Sequence, residues 1–393
     1  MKKQIVFLIK VMNGGGAERV VSLLSKAFAD AGKRVTLILT HQSLSEAELS
    51  AVDKRIEVIS LPDEINKGTT VSQKPKLIML WARLVGKLRI KHGAEKSSIL
   101  KYCSRNYKHV KWLRNYFRKN KNTTAVAFLY DSIFMTLLTT GKNNKVVISE
   151  RGDPCQSLLS KTTMAFMKNK FKDADKIVFQ SPDVKEWYEQ NIGVSGTVIF
   201  NPVKPDLPEA YNGERQKKIV NFCRISEEKN ITLLVEAFTI FHNDYNDYDL
   251  YLIGNSFDDY SLKIEESIIK NKCSEYVHIL PAKKDVHIFI REFSMFVSSS
   301  NHEGMSNSML EAMAIGLPCV CTDCPAGGAR AVIRDGENGL LVPIKDAEAL
   351  AKAMKRIVEE EGLAEKLSRN AVKIREEQSL DKIIEKWTEI IDD

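Results

Sequence analysis

Glu303 and Glu311 stand eight positions apart in SSSNHEGMSNSMLEAMAIGLPCVCTD, residues 298–323, and a pair of carboxylates is the equipment of glycoside hydrolysis. For that chemistry they would have to flank one bond at roughly 5 to 9.5 Å. The intervening residues argue otherwise. Ser306, Asn307 and Ser308 supply N-cap chemistry to an apolar-periodic helix in which Met309, Ala312 and Met313 face inward, and Gly316-Leu317-Pro318 stops it. Eight residues at about 1.5 Å of rise separate the carboxylates by about 12 Å along such an axis, so they have separate tasks. Glu303, in the turn, can accept hydrogen bonds from hydroxyls beside a phosphate, while Glu311, two turns into the helix, can reach a ribose. Either one alone reads equally well as a loop carboxylate or a surface charge. The preceding SMFVSS reads as a buried strand, and a strand that turns into a helix N-terminus exposes backbone N–H groups and a positive dipole end suited to a phosphate.

Other residues suit the same ligand. Arg224 and Lys229, in CRISEEKN, follow the strand-like KIVNFCR, where a guanidinium fork and a point charge can both reach a diphosphate, although loop cations are ordinary by themselves. Asn13-Gly14-Gly15-Gly16 follows the strand-like QIVFLIKVM. Arg19 occupies the third glycine position of a dinucleotide fingerprint and the second strand ends Leu39-Thr40-His41 without a ribose-binding acid, so NAD is not expected. The P-loop pattern is missing as well. What remains is a tight turn whose backbone can approach a ligand closely. Cys319, Cys321 and Cys324 lack a fourth ligand and a second knuckle, and the first two share a strand face, so no metal is expected there.

The elements that must position these residues alternate between strand and helix. In the first half, strands are expected at 4–12, at RVTLILT, and near 124–130, 145–154, 174–183 and 196–203; Ser149-Glu150-Arg151 lies at a strand end. Asn201-Pro202-Val203 and the charged, Pro-containing segment after it read as a linker. A second alternation follows, with strands at 218–224, 249–255 and 277–281. At 393 residues the chain fits two domains of about 150 to 200 residues. The alternation implies parallel, doubly wound sheets with functional loops at the strand ends.

The spacing Glu303-Gly304, six residues, Glu311, then Ala-x-Ala-x-Gly-Leu-Pro and a strand, closely resembles the signature of the family-4 retaining glycosyltransferases, enzymes of the GT-B fold. The resemblance covers nearly the whole chain, strongest at 218–343 and weakest at 42–120. It implies an α/β protein of two Rossmann-like doubly wound domains facing across a cleft: an acceptor domain at 1–200, a nucleotide-sugar donor domain at 201–376, and a last helix at 377–393 crossing back to the first. It further implies that Glu303 contacts the transferred sugar and that the backbone of Gly304, Met305, Ser306 and Asn307 holds the diphosphate. Glu311 would bind the ribose, and Arg224 and Lys229, at the family's spacing of five, would clamp the departing diphosphate. Gly15 and Gly16, in GGAER, would close over donor phosphate and acceptor. Gly254-Asn255 ends a strand as the family's Gly-rich turn does, with Ser256 replacing a usual glycine, and Ala282 lies where backbone groups meet the base. Arg151 stands in a region where many members carry a histidine near the donor sugar, which leaves its role open.

Charge adds a second theme. Residues 65–121 hold 16 Lys plus Arg against the single acid Glu95, a net +15 in a chain of net +7, so the remainder sums to −8. Leu77, Trp81, Leu84 and Leu88 share one face of an expected helix at 76–90, and Ile99, Cys103, Val110, Leu113 and Phe117 repeat the scheme at 99–119. Basic amphipathic helices of this kind read as membrane-surface elements, or else as the solvated face of core helices; no nucleic-acid motif accompanies the charge. No transmembrane helix is expected, and the N-terminus reads as a strand, not a cleaved signal. The odd, scattered set of seven cysteines favours a reducing compartment.

These readings converge on an enzyme, a hexosyltransferase. It is expected to move a hexose or N-acetylhexosamine from a nucleotide-diphosphate sugar, with UDP as the family-based expectation, to a glycan or lipid-linked acceptor in cell-surface polysaccharide synthesis. The nucleotide sugar is a co-substrate, no metal or other cofactor is needed, and the protein is expected in the cytoplasm, on the inner, anionic face of the membrane. Two alternatives remain. A GT-B sugar-nucleotide epimerase would need acid and base residues that have no obvious place here, and a non-enzymatic membrane-associated scaffold would have no need of Arg224, Lys229, Glu303 and Glu311 together.

Overall fold

The computed structural model of the chain describes residues 4–13, 15–45, 52–67, 102–154, 161–256 and 259–393, which fall into two compact units. The first comprises Met1–Gln180, Val184–Ile199 and Ile384–Asp393; the second comprises Ser181–Asp183 and Phe200–Ile383. Each is built on a wholly parallel sheet with helical crossovers, the Rossmann-like arrangement expected from the sequence.

The first unit's strands are β1 (Gln4–Ile9), β2 (Arg34–Leu39), β3 (Glu57–Ser60), β4 (Thr123–Phe128), β5 (Lys145–Glu150), β6 (Lys176–Phe179) and β7 (Thr197–Val198). They lie in the order β3-β2-β1-β4-β5-β6-β7. β1 and β4 are buried along their whole length, which is why they read as continuous apolar runs and not as alternations. The closing segment of the chain completes this core. Trp387, 0% exposed, lies 5.6 Å from the ring of Phe128, and Lys33 pairs with Asp392 at 2.9 Å.

Of the two readings of the basic segment, its described part follows the second, the solvated face of a core helix. The helix Tyr107–Lys119 turns Val110, Leu113 and Phe117 into the unit's own core, at 6%, 0% and 1% exposure, so the apolar stripe expected to meet lipid is already occupied. What it presents outward is a row of cations: Lys108, Lys111, Arg114, Arg118 and Lys119. The expected helix at 76–90, Ile99, and most of the +15 segment lie outside the described residues.

The second sheet contains β8 (Gln216–Phe222), β9 (Asp249–Ile253), β10 (Val277–Leu280), β11 (Phe293–Ser298), β12 (Cys319–Thr322) and β13 (Leu340–Val342), in the order β10-β9-β8-β11-β12-β13. Its faces carry separate apolar layers. Phe238 and Phe241, from the helix Ile231–His242, pack with Leu250 and Val297 in one; Met309 and Met313, from the helix Asn307–Ala314, pack with Phe222 and Phe296 in the other.

Trp387→Ala removes the largest fully buried side chain of the first unit, and truncation of this kind costs about 3–5 kcal/mol. The midpoint of urea unfolding, followed by the first unit's own signal, is expected to fall accordingly.

Candidate active site

Both sheets reverse their strand order at one place, and in open parallel sheets ligands bind outside the carboxyl ends of the strands at that reversal. In the second unit it falls between β8 and β11. The loops leaving these two strands are tied together by their backbones. The Asn301 N–H donates to the Glu228 carbonyl at 2.9 Å, and the Ser299 hydroxyl donates to the Lys229 carbonyl at 3.0 Å. Asn230, in the left-handed region at φ 47°, donates its amide to Asn301 Oδ1 at 3.1 Å.

These ties bring the Lys229 ammonium onto the Glu303 carboxylate, as an ion pair whose side chains are only 14% and 23% exposed. Burial works against the lysine's charge, but the Glu303 carboxylate more than offsets it, so the Lys229 pKa stands above its ordinary value. Arg224 shares the loop in a different state: it is 55% exposed and its guanidinium is held by Glu228 at 2.6 Å.

The neighbouring strand ends close around the same crevice. A Cβ on Gly254 would stand 1.8 Å from the Cys223 carbonyl oxygen, so only glycine lets the end of β9 approach the end of β8. Asn255 then accepts the Ala282 N–H on Oδ1 at 3.0 Å, which joins Gly254, Asn255 and Ala282 into one support. Beside it, Ser306 caps the helix Asn307–Ala314 by accepting the Met309 N–H at 3.3 Å. The turn at Gly304 and Met305 is held from behind. Asn201 donates its amide to the Met305 carbonyl at 3.2 Å and to Asn307 Oδ1 at 3.0 Å, and Gly328 passes so close that a Cβ there would lie 1.5 Å from the Gly304 oxygen.

Glu311 and Arg151 are both drawn inward. Glu311 is 6% exposed, and its Oε2 sits 2.5 Å from Nε2 of His287, a residue of the short helix Val286–Ile290 that abuts Phe222 edge-on. The reason is that Met309 to Ala314 are all buried, so the helix has no solvent side where Glu311 projects. Arg151, in the first unit, is also drawn inward. Its guanidinium donates to the Ser149 hydroxyl at 2.9 Å and the Ile199 carbonyl at 3.0 Å, over the rings of Phe128 and Trp387. Burial brings its pKa down to about 9, while the adjacent Glu150 carboxyl, bonded by the Tyr188 and Tyr130 hydroxyls, is pushed up by burial to about 8. In the first unit's glycine turn, Gly15 donates its N–H to Glu18 at 2.7 Å and Gly16 begins the helix Gly16–Asp30; Gly14 lies outside the described residues.

Sequence reasoning missed Asn201, Gly328 and His287. Asn201 reads as the start of a linker, and neither of the others belongs to a recognisable motif. Cys319, Cys321 and Cys324 are buried, with the Cys324 thiol on the Ser300 carbonyl at 3.1 Å. Among the described residues no group of three His, Cys, Asp or Glu side chains is placed to hold a metal.

Comparison with known proteins bears on this arrangement. Residues 204–374 match the family Glycosyl transferases group 1. The chain is 23% identical over 396 residues to an uncharacterized glycosyltransferase of Haemophilus influenzae, covering 100% of each. It is 24% identical over 319 residues to the poly(glycerol-phosphate) alpha-glucosyltransferase of Bacillus subtilis, covering 79% of this chain and 45% of that protein. Among solved structures, the Anabaena protein HepE in complex with UDP-glucose matches with a TM-score of 0.75 at 16% identity, over 99% of each chain, which speaks for the fold.

Gly328→Ala forces the Gly304 turn to move, because the added methyl has no other space. Thermal unfolding of the second unit is expected to move to lower temperature, in keeping with the roughly 1–3 kcal/mol that overpacking costs, while far-UV circular dichroism at room temperature stays near native.

Proposed function

Because this chain is a glycosyltransferase of the GT-B architecture, we propose that it moves a hexose or N-acetylhexosamine from a UDP-sugar to a glycan or lipid-linked acceptor in polysaccharide synthesis, with retention at the anomeric carbon. The observation that carries this reading is the Lys229–Glu303 pair at the reversal point of the second sheet. It puts a cation suited to a diphosphate directly beside a carboxylate suited to sugar hydroxyls.

In the proposed reaction the donor diphosphate takes Lys229 as its counter-ion, with Arg224 reaching over from the same loop, and a sugar hydroxyl donates to the freed Glu303 carboxylate. The bond from the anomeric carbon to the phosphate oxygen breaks and UDP leaves with the electron pair. The acceptor oxygen forms the new bond on the same face, and its proton passes to the departing phosphate. Lys229 and Arg224 stabilise the charge that grows on the leaving group, the task a metal ion would otherwise perform. No metal or other cofactor is required in this scheme.

The site is proposed to work in the cytoplasm, at the inner face of the membrane. Among the described residues no helix is long and apolar enough to cross a bilayer. The outward cations of the helix Tyr107–Lys119 offer an electrostatic contact, on the order of 1 kcal/mol for each basic residue close to an anionic leaflet.

Glu303→Gln is expected to lower kcat about a hundredfold or more with little change in UDP affinity, whereas Lys229→Met weakens UDP binding by about 1.5–3 kcal/mol, the worth of a charge-assisted hydrogen bond. Turnover measured in EDTA should persist. Equal loss of UDP affinity in the two variants would remove the division of labour.

Vesicles containing anionic lipid are expected to sediment the wild type at low salt and release it as salt rises, because exposed charges are screened beyond about 8–10 Å. The combined change Lys111→Gln, Arg114→Gln, Arg118→Gln and Lys119→Gln should leave the protein in the supernatant and UDP affinity intact. Failure of the wild type to sediment at low salt would exclude the surface contact.

A further inference from the structure

The first sheet reverses its order between β1 and β4, and the residues just beyond its central strands form a polar cluster that the donor chemistry does not use. β1 and β2 stay paired past their ends, with the Thr40 N–H on the Ile9 carbonyl at 2.9 Å and the His41 N–H on the Lys10 carbonyl at 3.0 Å. This sets Lys10 beside His41. Lys10 reaches Asp131, in the first turn of the helix Tyr130–Thr139 after β4, at 3.1 Å, and both side chains are about half exposed, at 49% and 40%. The Thr40 hydroxyl lies 2.9 Å from His41 Nδ1 and fixes the ring's turn about its axis. From the other side the His109 ring, on the helix Tyr107–Lys119, stacks on His41 with centroids 5.4 Å apart and planes inclined by 18°. The loop leaving β1 is fastened too, since the Met12 N–H donates to Gln42 at 2.5 Å and Gln42 donates to Asn13 at 3.1 Å.

We propose that this cluster recognises neighbouring hydroxyls of a sugar acceptor: His41 and Asp131 accept hydrogen bonds from them, Lys10 donates one, and His109 is a positioning residue that holds the His41 ring. The proposal rests on the transferase reading and names the acceptor's chemical class.

The charges decide between a hydroxyl and an anion. Lys10 is neutralised by Asp131. Burial lowers the pKa of both histidines; Lys10 opposes charge on His41 while Asp131 favours it, and His41 and Lys108 both oppose charge on His109. The further cation, Lys108, is exposed to water. A phosphate would therefore meet a cancelled lysine and two neutral imidazoles, whereas a pair of hydroxyls meets two acceptors and a donor. A neutral imidazole accepts and a protonated one does not. Recognition should thus hold through neutral pH and fail below the ordinary histidine range.

The test is imidazole nitrogen NMR of the full-length protein, titrated with methyl α-glucoside, with methyl α-N-acetylglucosaminide, and with inorganic phosphate. At least one glycoside is expected to shift the His41 and His109 signals where phosphate at equal concentration does not. His109→Gln and Asp131→Asn should weaken that response about fivefold or more, the worth of roughly one hydrogen bond, with UDP affinity unchanged by calorimetry. In the wild type the response should fade on acidification, and in His41→Gln that pH dependence should disappear. Shifts with phosphate alone, or with none of the three probes, would overturn the proposal. A wild type that responds to a glycoside yet fails to bind UDP would sink the transferase reading and leave the hydroxyl site standing.

Discussion

A largely buried ammonium and a partly buried carboxylate tolerate each other's company far better than either tolerates solitude. Removing one ion from water costs several kcal/mol even after the protein relaxes, and a partner recovers most of it only if the geometry is held. Lys229 and Glu303 are 74 positions apart, so the holding falls to the loops. The hydrogen bonds from Asn301, Ser299 and Asn230 tie the exits of β8 and β11 together and bring the two charges within reach of each other. The glycine contacts serve the same end: Gly254 lets β9 close on β8, and Gly328 lets the following segment support Gly304. The pair satisfies itself. In the proposed reaction a diphosphate that engaged Lys229 would supply a new anion as it took the old one away, so the ammonium would stay compensated throughout the exchange.

The sequence makes the local parts of this legible and hides the long-range ones. Strands of the second sheet appear as apolar runs, the helix after Glu303 announces itself by Ser306 and by the inward set Met309, Ala312 and Met313, and all of these are found. Such signals live within a few residues of one another, because capping and periodicity are local. Asn201 has no such signal. Its contacts are with Met305 and Asn307, about a hundred positions away, and its surroundings of proline and charge look like a connection. His287 is equally silent until the fold sets it against Glu311.

Position 151 shows a second kind of long-range dependence, because Arg151 lies just past the end of β5 and its surroundings come from distant segments. Glu150 and Arg151 are neighbours in sequence and leave the backbone in opposite directions, the first to Tyr130 and Tyr188, the second to Phe128 and Trp387. Arg151 is thereby built into the packing of the chain's last helix, which no local pattern near residue 151 could reveal.

The basic helix poses a conflict that burial resolves. An amphipathic helix can lay its apolar stripe on a core or on a membrane, and Tyr107–Lys119 has laid it on the core, with Leu113 and Phe117 as deeply enclosed as any residue of the sheet. Any attraction to a surface must then come from Coulomb forces acting through water. Those forces fall away within a Debye length, so this face can only dock at close range and only where the partner is strongly anionic. The same helix carries His109 to the end of β2. Its inner edge thus borders the polar cluster proposed as an acceptor site while its outer edge remains basic. That pairing is consistent with an acceptor presented at a charged surface, its hydroxyls read from within the unit.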